Sequence, residues 1–267
     1  MKDLSEFKGK NVFVAGGTSG INLGIAEQFA QAGANVAVMS RNPERVEDAV
    51  KALLEISEGH LGFAADVRDR ESVDKALAGA AEALGPLDIV VSGAAGNFVV
   101  DAASISANGF KTVVDIDLIG TFNVFHASRP YLRTPGASLI AISAPQGTHP
   151  QVGQIHVCAA KAGVNMVVKC LALEWGPLGI RVNGISPGLI GDTEGRKRLF
   201  PSAEAEQTFI TNLPIGRMGQ KRDIANATMY LSSEFSSFVT GVILDCDGGL
   251  ALEEGGYTFR DALPPAK

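Results

Sequence analysis

Residues 11–21 read Asn-Val-Phe-Val-Ala-Gly-Gly-Thr-Ser-Gly-Ile. The run up to Ala15 is short, apolar and rich in β-branched side chains, which predicts a buried strand over 11–15. Apolar residues then recur at helical spacing through Ile21, Ile25, Ala26 and Phe29, and Gly33 marks the stop, predicting a helix over 21–31. Between strand and helix lies a glycine-rich turn. Glycines let backbone approach a pyrophosphate closely, and the helix start behind the turn offers free N–H groups and the positive end of a dipole. An ordinary strand-to-helix turn is the bland alternative, but this placement favours phosphate binding.

The same alternation continues outward. Strands are expected over 36–39, 61–65, 89–91, 138–142, 181–185 and 242–245, and helices over 43–57, 70–84, 106–131, 151–175 and 223–232. Pro43 sits where a first helical turn tolerates proline. The strands read as continuous apolar runs, the mark of a parallel sheet covered on both faces. Residues 194–212 are charged and weakly periodic, so a helical substrate lid is expected at about 190–215. The whole chain, 1–267, reads as a single α/β domain: a doubly wound Rossmann fold with about seven parallel strands and helices on both faces.

Composition excludes several function classes. The chain has 267 residues, 46% hydrophobic and 19% charged, enough for a sizeable core. A net charge of -6 argues against nucleic acid as partner. Cys158, Cys170 and Cys246 show no metal or redox spacing and are expected to be reduced core thiols, and no metal site is expected. The first residues lack an apolar run, no stretch reaches about 18 consecutive apolar residues, and the last three are not a peroxisomal address. A cytoplasmic protein with no membrane span is the expectation.

The end of the second strand speaks to cofactor choice. Folds that prefer NAD place a carboxylate there to bind the adenosine ribose hydroxyls. Here Ser40 is neutral, Arg41 is positive and Arg45 follows one turn on, a set that suits the 2′-phosphate of NADP(H), although Arg41 also fits a solvated surface position.

With these residues, the landmarks Asp66-Val67, Ala94-Ala95-Gly96, Lys161, Arg181-Val182-Asn183, Pro187-Gly188 and Asp247-Gly248-Gly249 match in order and spacing. From about residue 7 to 250 the chain resembles the short-chain dehydrogenase/reductase family. The resemblance implies NADP(H) contacts from Gly16, Thr18, Ser19, Gly20, Ile21, Ser40, Arg41, Arg45, Asp66, Val67, Ala94, Lys161, Pro187, Ile190 and Thr193. It also implies a homotetramer formed through the helix over 151–175 and the last strand.

The departures are as telling as the matches. The family's third turn glycine is Asn22 here, its asparagine after the fourth strand is Ser92, its catalytic serine is Ala144, its tyrosine is Val157 and its helix asparagine is Asp117. The only tyrosines are Tyr131, Tyr230 and Tyr257, and the position seven before Lys161 is Gln154, so no displaced tyrosine compensates. This pattern resembles the peroxisomal-type 2,4-dienoyl-CoA reductases, most closely at Ala94–Phe98, 110–117, 120–124, His156, Glu174-Trp175-Gly176-Pro177 and Thr193-Glu194-Gly195. It implies an acyl-CoA substrate, with contacts at Arg68, Phe98, Ser106, Asn108 and Arg198.

The chemistry follows from what is missing. Carbonyl reduction needs an acid at the forming alkoxide, and valine and alanine cannot donate a proton. Reduction of a conjugated thioester sends hydride to carbon and spreads charge to the thioester oxygen, so a water can protonate carbon. Asp117, in an apolar helical run, is the candidate to hold that water; the resemblance selects it over Asp115, about 200° away on the helix. Asp117 also fits a purely structural role, and His156 fits either a proton relay or a packed helix start. The expected activity is NADPH-dependent reduction of a 2,4-dienoyl-CoA with Asp117 and Lys161 as catalytic pair. The alternatives are reduction of another carbonyl or enone, or a non-catalytic NADP(H) sensor.

Overall fold

The computed structural model describes residues 4–191, 193 and 202–253. Its elements run β1 (Asn11–Ala15), α1 (Gly20–Gln31), β2 (Asn35–Ser40), α2 (Pro43–Leu54), β3 (Leu61–Ala64), α3 (Arg70–Leu84) and β4 (Ile89–Ser92). Then come α4 (Ala107–Val114), a π-helical turn (Asp115–Ile119), α5 (Gly120–Ser128), β5 (Ser138–Ile142), α6 (Ile155–Trp175) and β6 (Arg181–Pro187). The described chain closes with α7 (Ala203–Asn212), α8 (Lys221–Ser232), β7 (Ile243–Cys246) and a short helix, Leu250–Glu253.

The seven strands form one parallel sheet in the order β3-β2-β1-β4-β5-β6-β7. Each central strand feeds both faces because side chains alternate along it. In β1, Phe13 and Ala15 join the core under α3, α5 and α6, while Val12 and Val14 join the core under α1, α2 and α8. Burying one such Phe or Val contributes roughly 1.5–3 kcal/mol. Chain order reverses between β1 and β4, so the segments leaving their C-terminal ends diverge and open a crevice there. The edge strand β3 departs from the expected two-sided burial: Gly62 and Ala64 are exposed, since only one strand neighbours it.

Helix boundaries follow local chemistry. Asn42 accepts hydrogen bonds from the backbone N–H groups of Glu44 and Arg45, so α2 starts at Pro43. It ends at Leu54, short of the expected 57, because Ser57 turns away to donate to the Ala30 carbonyl and meet the His60 ring. The helix expected from 151 starts at Ile155, since Gly153 takes a left-handed φ of 76°. By length and composition the stretch Ile155–Leu178 would suffice to cross a bilayer, but in this fold it packs as a core helix, with Val164 and Val168 fully buried. Cys170 corrects the expectation of core thiols: it is exposed on α6, while Cys158 and Cys246 are half-buried.

The one long helix expected over 106–131 is interrupted. Five residues, Asp115–Ile119, make a π turn between α4 and α5. Such bulges often mark functional positions because they re-aim side chains out of the regular helical register. Of the lid expected at 190–215, α7 is described; Arg198 lies outside the described residues, as do its neighbours at 194–201.

Candidate active site

A cleft of about 570 Å³ opens at the C-terminal ends of β1, β2, β4 and β5. One wall is the glycine turn. Gly16 has φ 78°, and a Cβ there would stand 2.8 Å from the Ala94 backbone nitrogen, so only glycine allows the turn to meet the segment after β4. Ser19 precedes α1 without making a side-chain cap, leaving the N–H groups of the first turn free for a phosphate. Thr18, Ser19, Gly20, Ile21, Ser40, Arg41, Arg45, Asp66, Val67, Ala94, Pro187 and Thr193 all line the cleft. These residues fit a dinucleotide: a glycine cradle, free helix N–H groups, and arginines at the end of β2.

Ile190 is the exception among the expected cofactor contacts. Its side chain is 3% exposed and packs into the core with α1 and α8, away from the cleft wall, while its backbone bridges to Gly219. Its carbonyl accepts the Thr193 hydroxyl at 2.8 Å, so Ile190 supports a cleft residue without lining the cleft.

The opposite wall holds the polar centre. Asp117, from the π turn, is 1% exposed and accepts the Gly96 N–H at 2.7 Å on Oδ1. Its Oδ2 lies 3.2 Å from Lys161 Nζ, an ion pair without hydrogen-bond geometry, and has no hydrogen-bond partner. Lys161, from α6, is 5% exposed and donates to the Ile142 carbonyl at 3.0 Å. Beside this pair the cleft is faced by Ala144 and Val157. Val157 packs with Val113 and Ala160 as an apolar patch. The site thus holds a buried carboxylate and ammonium with no hydroxyl acid at the family's serine and tyrosine positions.

Of the expected substrate residues, Arg68, Phe98, Ser106 and Asn108 are described and none lines the cleft itself, while Phe98 and Ser106 lie together against Gly109. Phe98 stacks on His156 with ring centroids 4.3 Å apart, and its carbonyl accepts from His156 Nε2 at 3.1 Å. His156 is fully buried and does not line the cleft; its Nε2 is engaged by Phe98, while its Nδ1 is buried without a hydrogen-bond partner. Ser106 caps α4 by accepting the Gly109 N–H at 3.0 Å, and Gly109 also lies against the Phe98 ring. Asn108 is exposed on the first turn of α4. Phe98, Ser106 and Asn108 follow Asn97, which does line the cleft. Arg68 grips Asp66 through Nε and Nη2, the latter at 2.6 Å, and holds the Asp66 carboxyl below the ordinary carboxylate range.

Other contributors were not foreseen. Asn22 lines the cleft and donates from Nδ2 to the Gly93 carbonyl at 2.7 Å. Gln146 also lines it, held by Gln151 and Gln154 at 2.7 Å each. Ser92, in the family's asparagine position, turns to the Thr121 hydroxyl at 3.2 Å. A second cavity, about 680 Å³, opens at the other end of the sheet beside Lys10, Asp88 and Arg181. Its innermost charges are spent on structure: Asp88 pairs with Lys10 and Arg133, and Arg181 donates to the carbonyls of Leu231, Ser233 and Val239. The cleft at the switch point is therefore the better candidate.

Comparison with known proteins agrees with this geometry. A family model described as enoyl-(acyl carrier protein) reductase matches residues 15–251. A peroxisomal 2,4-dienoyl-CoA reductase of Arabidopsis thaliana, (3E)-enoyl-CoA-producing, is 40% identical over 266 residues, covering 96% of this chain and 89% of the relative. The chain belongs to the short-chain dehydrogenase/reductase family. Solved members of similar shape include a short-chain dehydrogenase from Bacillus anthracis, 34% identical with a TM-score of 0.82, covering 94% of this chain and 100% of that one. A variant actinorhodin polyketide ketoreductase solved with NADPH is 27% identical with a TM-score of 0.84, covering 91% and 97%.

Proposed function

We propose that this short-chain dehydrogenase/reductase reduces 2,4-dienoyl-CoA thioesters to (3E)-enoyl thioesters using NADPH. One observation carries the reading: among the described residues the buried charged pair in the cleft is Asp117 with Lys161, set against Ala144 and Val157. The Arabidopsis relative supplies the substrate class. Arg41 and Arg45 at the cleft, with neutral Ser40 and no carboxylate at the end of β2, support NADP(H) over NAD(H).

The nicotinamide supplies a hydride when bound, and the remaining work falls to this chain. A dienoyl thioester that receives hydride at C5 shifts its electrons through C3=C4 and C1=C2 onto the thioester oxygen. It then needs one proton, at C2. Asp117 Oδ2, buried and without a hydrogen-bond partner, accepts one O–H of a water, and the other O–H delivers the proton. The hydroxide left behind stands beside the Lys161 ammonium, which the Ile142 carbonyl and Asp117 fix in place. Val157 keeps that region apolar, which strengthens each electrostatic contact. No alkoxide forms, so no tyrosine is needed.

The test is NADPH oxidation with a 2,4-dienoyl-CoA, with the free dienoic acid, and with a panel of ketones. Turnover of the thioester alone supports the reading; turnover of ketones instead, or NADPH binding without any turnover, overturns it. The homotetramer is proposed on the apolar side chains that α5, α6 and the π turn before α5 leave exposed: Ile119 at 41%, Phe122 at 42%, Met166 at 57% and Leu173 at 81%. Light scattering of a monomer would refute it.

A further inference from the structure

The two walls of the cleft are joined by a side chain that stands where the family has glycine. Asn22, in the first turn of α1, reaches across to the segment leaving β4 and donates from Nδ2 to the Gly93 carbonyl at 2.7 Å. Its Oδ1 is buried with no partner, so the amide is committed to this one bond at the expense of its other end. The fit is mutual. A Cβ on Gly93 would stand 2.1 Å from Asn22 Oδ1 and 2.5 Å from its Nδ2, so Asn22 can lie there only because residue 93 has no side chain.

Three residues further on, the same segment donates the Gly96 N–H to Asp117 Oδ1 at 2.7 Å. It is fixed at its start by Gly93 N–H donating to the Ala15 carbonyl at 3.0 Å. Between these points lies Ala94, whose backbone nitrogen abuts Gly16 of the phosphate turn. Helix α1, the segment from Gly93 to Gly96 and the Asp117 carboxylate thus form one continuous chain of contacts.

We infer that Asn22 is a positioning residue: by holding Gly93 to the first turn of α1 it sets where the Gly96 N–H, and through it Asp117, stands relative to the bound dinucleotide. The inference rests on the reading of Asp117 as the group that handles the proton. It assigns the departure from glycine a role in alignment, and none in direct contact with substrate.

The test is a double-mutant cycle with Asn22→Gly, Gly93→Ala and the pair combined. Three readouts are followed: kcat with 2,4-hexadienoyl-CoA, NADPH dissociation constant by fluorescence titration, and hydrogen exchange at the Gly96 amide. Asn22→Gly restores the family's residue and so threatens folding least. It should lower kcat roughly tenfold and raise Gly96 exchange by a similar factor, with NADPH affinity changed less than about threefold. Gly93→Ala, which displaces the Asn22 amide, should match or exceed those losses. Made in the Asn22→Gly background, Gly93→Ala should add nothing further, because the amide it clashes with is gone. Independent, multiplying penalties would overturn the inference, as would wild-type kcat and Gly96 protection in Asn22→Gly. If the unmodified protein reduces no thioester, the proposed function fails, and the exchange readout still decides whether the brace exists.

Discussion

Two buried aspartates stand at opposite ends of the sheet, and they are built differently. Asp88, at the N-terminal end of β4, is 4% exposed and saturated: it accepts the Asn11 N–H at 2.9 Å, Arg133 Nε at 2.6 Å and Lys10 Nζ at 3.2 Å. Asp117, at the C-terminal end, is 1% exposed but accepts only the Gly96 N–H, leaving an oxygen near Lys161 without a hydrogen bond. Burying a carboxylate is costly, and a fold that needs only stability satisfies it fully, as at Asp88. An unfilled carboxylate oxygen at the end where this architecture binds ligands supports the proposed role of Asp117 in the chemistry.

The largest expected difference between the two is in rate. Asp117→Asn should cut kcat for a dienoyl thioester by about 10²–10⁴-fold. Asp88→Asn should leave kcat per folded molecule within about threefold, since it touches no part of the cleft. Equal losses would erase the distinction. Next comes stability. Asp117→Ala strands the buried Lys161 ammonium and should cost about 3–5 kcal/mol in denaturant unfolding. Asp88→Ala should cost about 1–3 kcal/mol, because Lys10 and Arg133 are nearly half exposed and rehydrate, leaving mainly the Asn11 N–H unmet.

A smaller effect concerns the cofactor end of the cleft. Arg41→Ala should weaken NADPH roughly tenfold or more while sparing NADH, the value of one charge-assisted contact. Unchanged discrimination would move the 2′-phosphate elsewhere. The smallest effect is structural and pH-linked. His60 accepts the Val36 N–H at 3.2 Å, and burial holds its ring below the ordinary histidine value of 6.5. As pH falls through that value the unfolded chain takes up the proton first, so stability is full above it and declines below it. His60→Gln should flatten that part of the stability profile.

Much of this was legible in the sequence, for identifiable reasons. Residues 11–21 revealed the strand, turn and helix because each carries its own local signal, and apolar runs located the remaining strands. Val157 and Lys161 were legible because their four-residue spacing on one helix is fixed, and Ala144 because it lies just past a clear strand. The π turn was not, since 106–131 has uninterrupted helical spacing and the bulge is set by tertiary packing. Asn22 read only as a missing glycine, because its partner Gly93 lies 71 residues away and no local rule links them. Ile190 was expected at the cofactor; its side chain instead fills the core beside α1 and α8. The Phe98–His156 stack joins residues 58 apart, so no local rule could have shown it.

The central claim is that the Asp117–Lys161 pair, and no hydroxyl acid, manages the proton that enters carbon. Its most direct test is single-turnover reduction of 2,4-hexadienoyl-CoA by NADPH in D₂O, comparing the unmodified protein with Asp117→Asn. The account predicts one solvent deuterium at C2 of the product, and product formation slowed about a hundredfold or more in the variant. Deuterium incorporation at an undiminished rate in Asp117→Asn would contradict it.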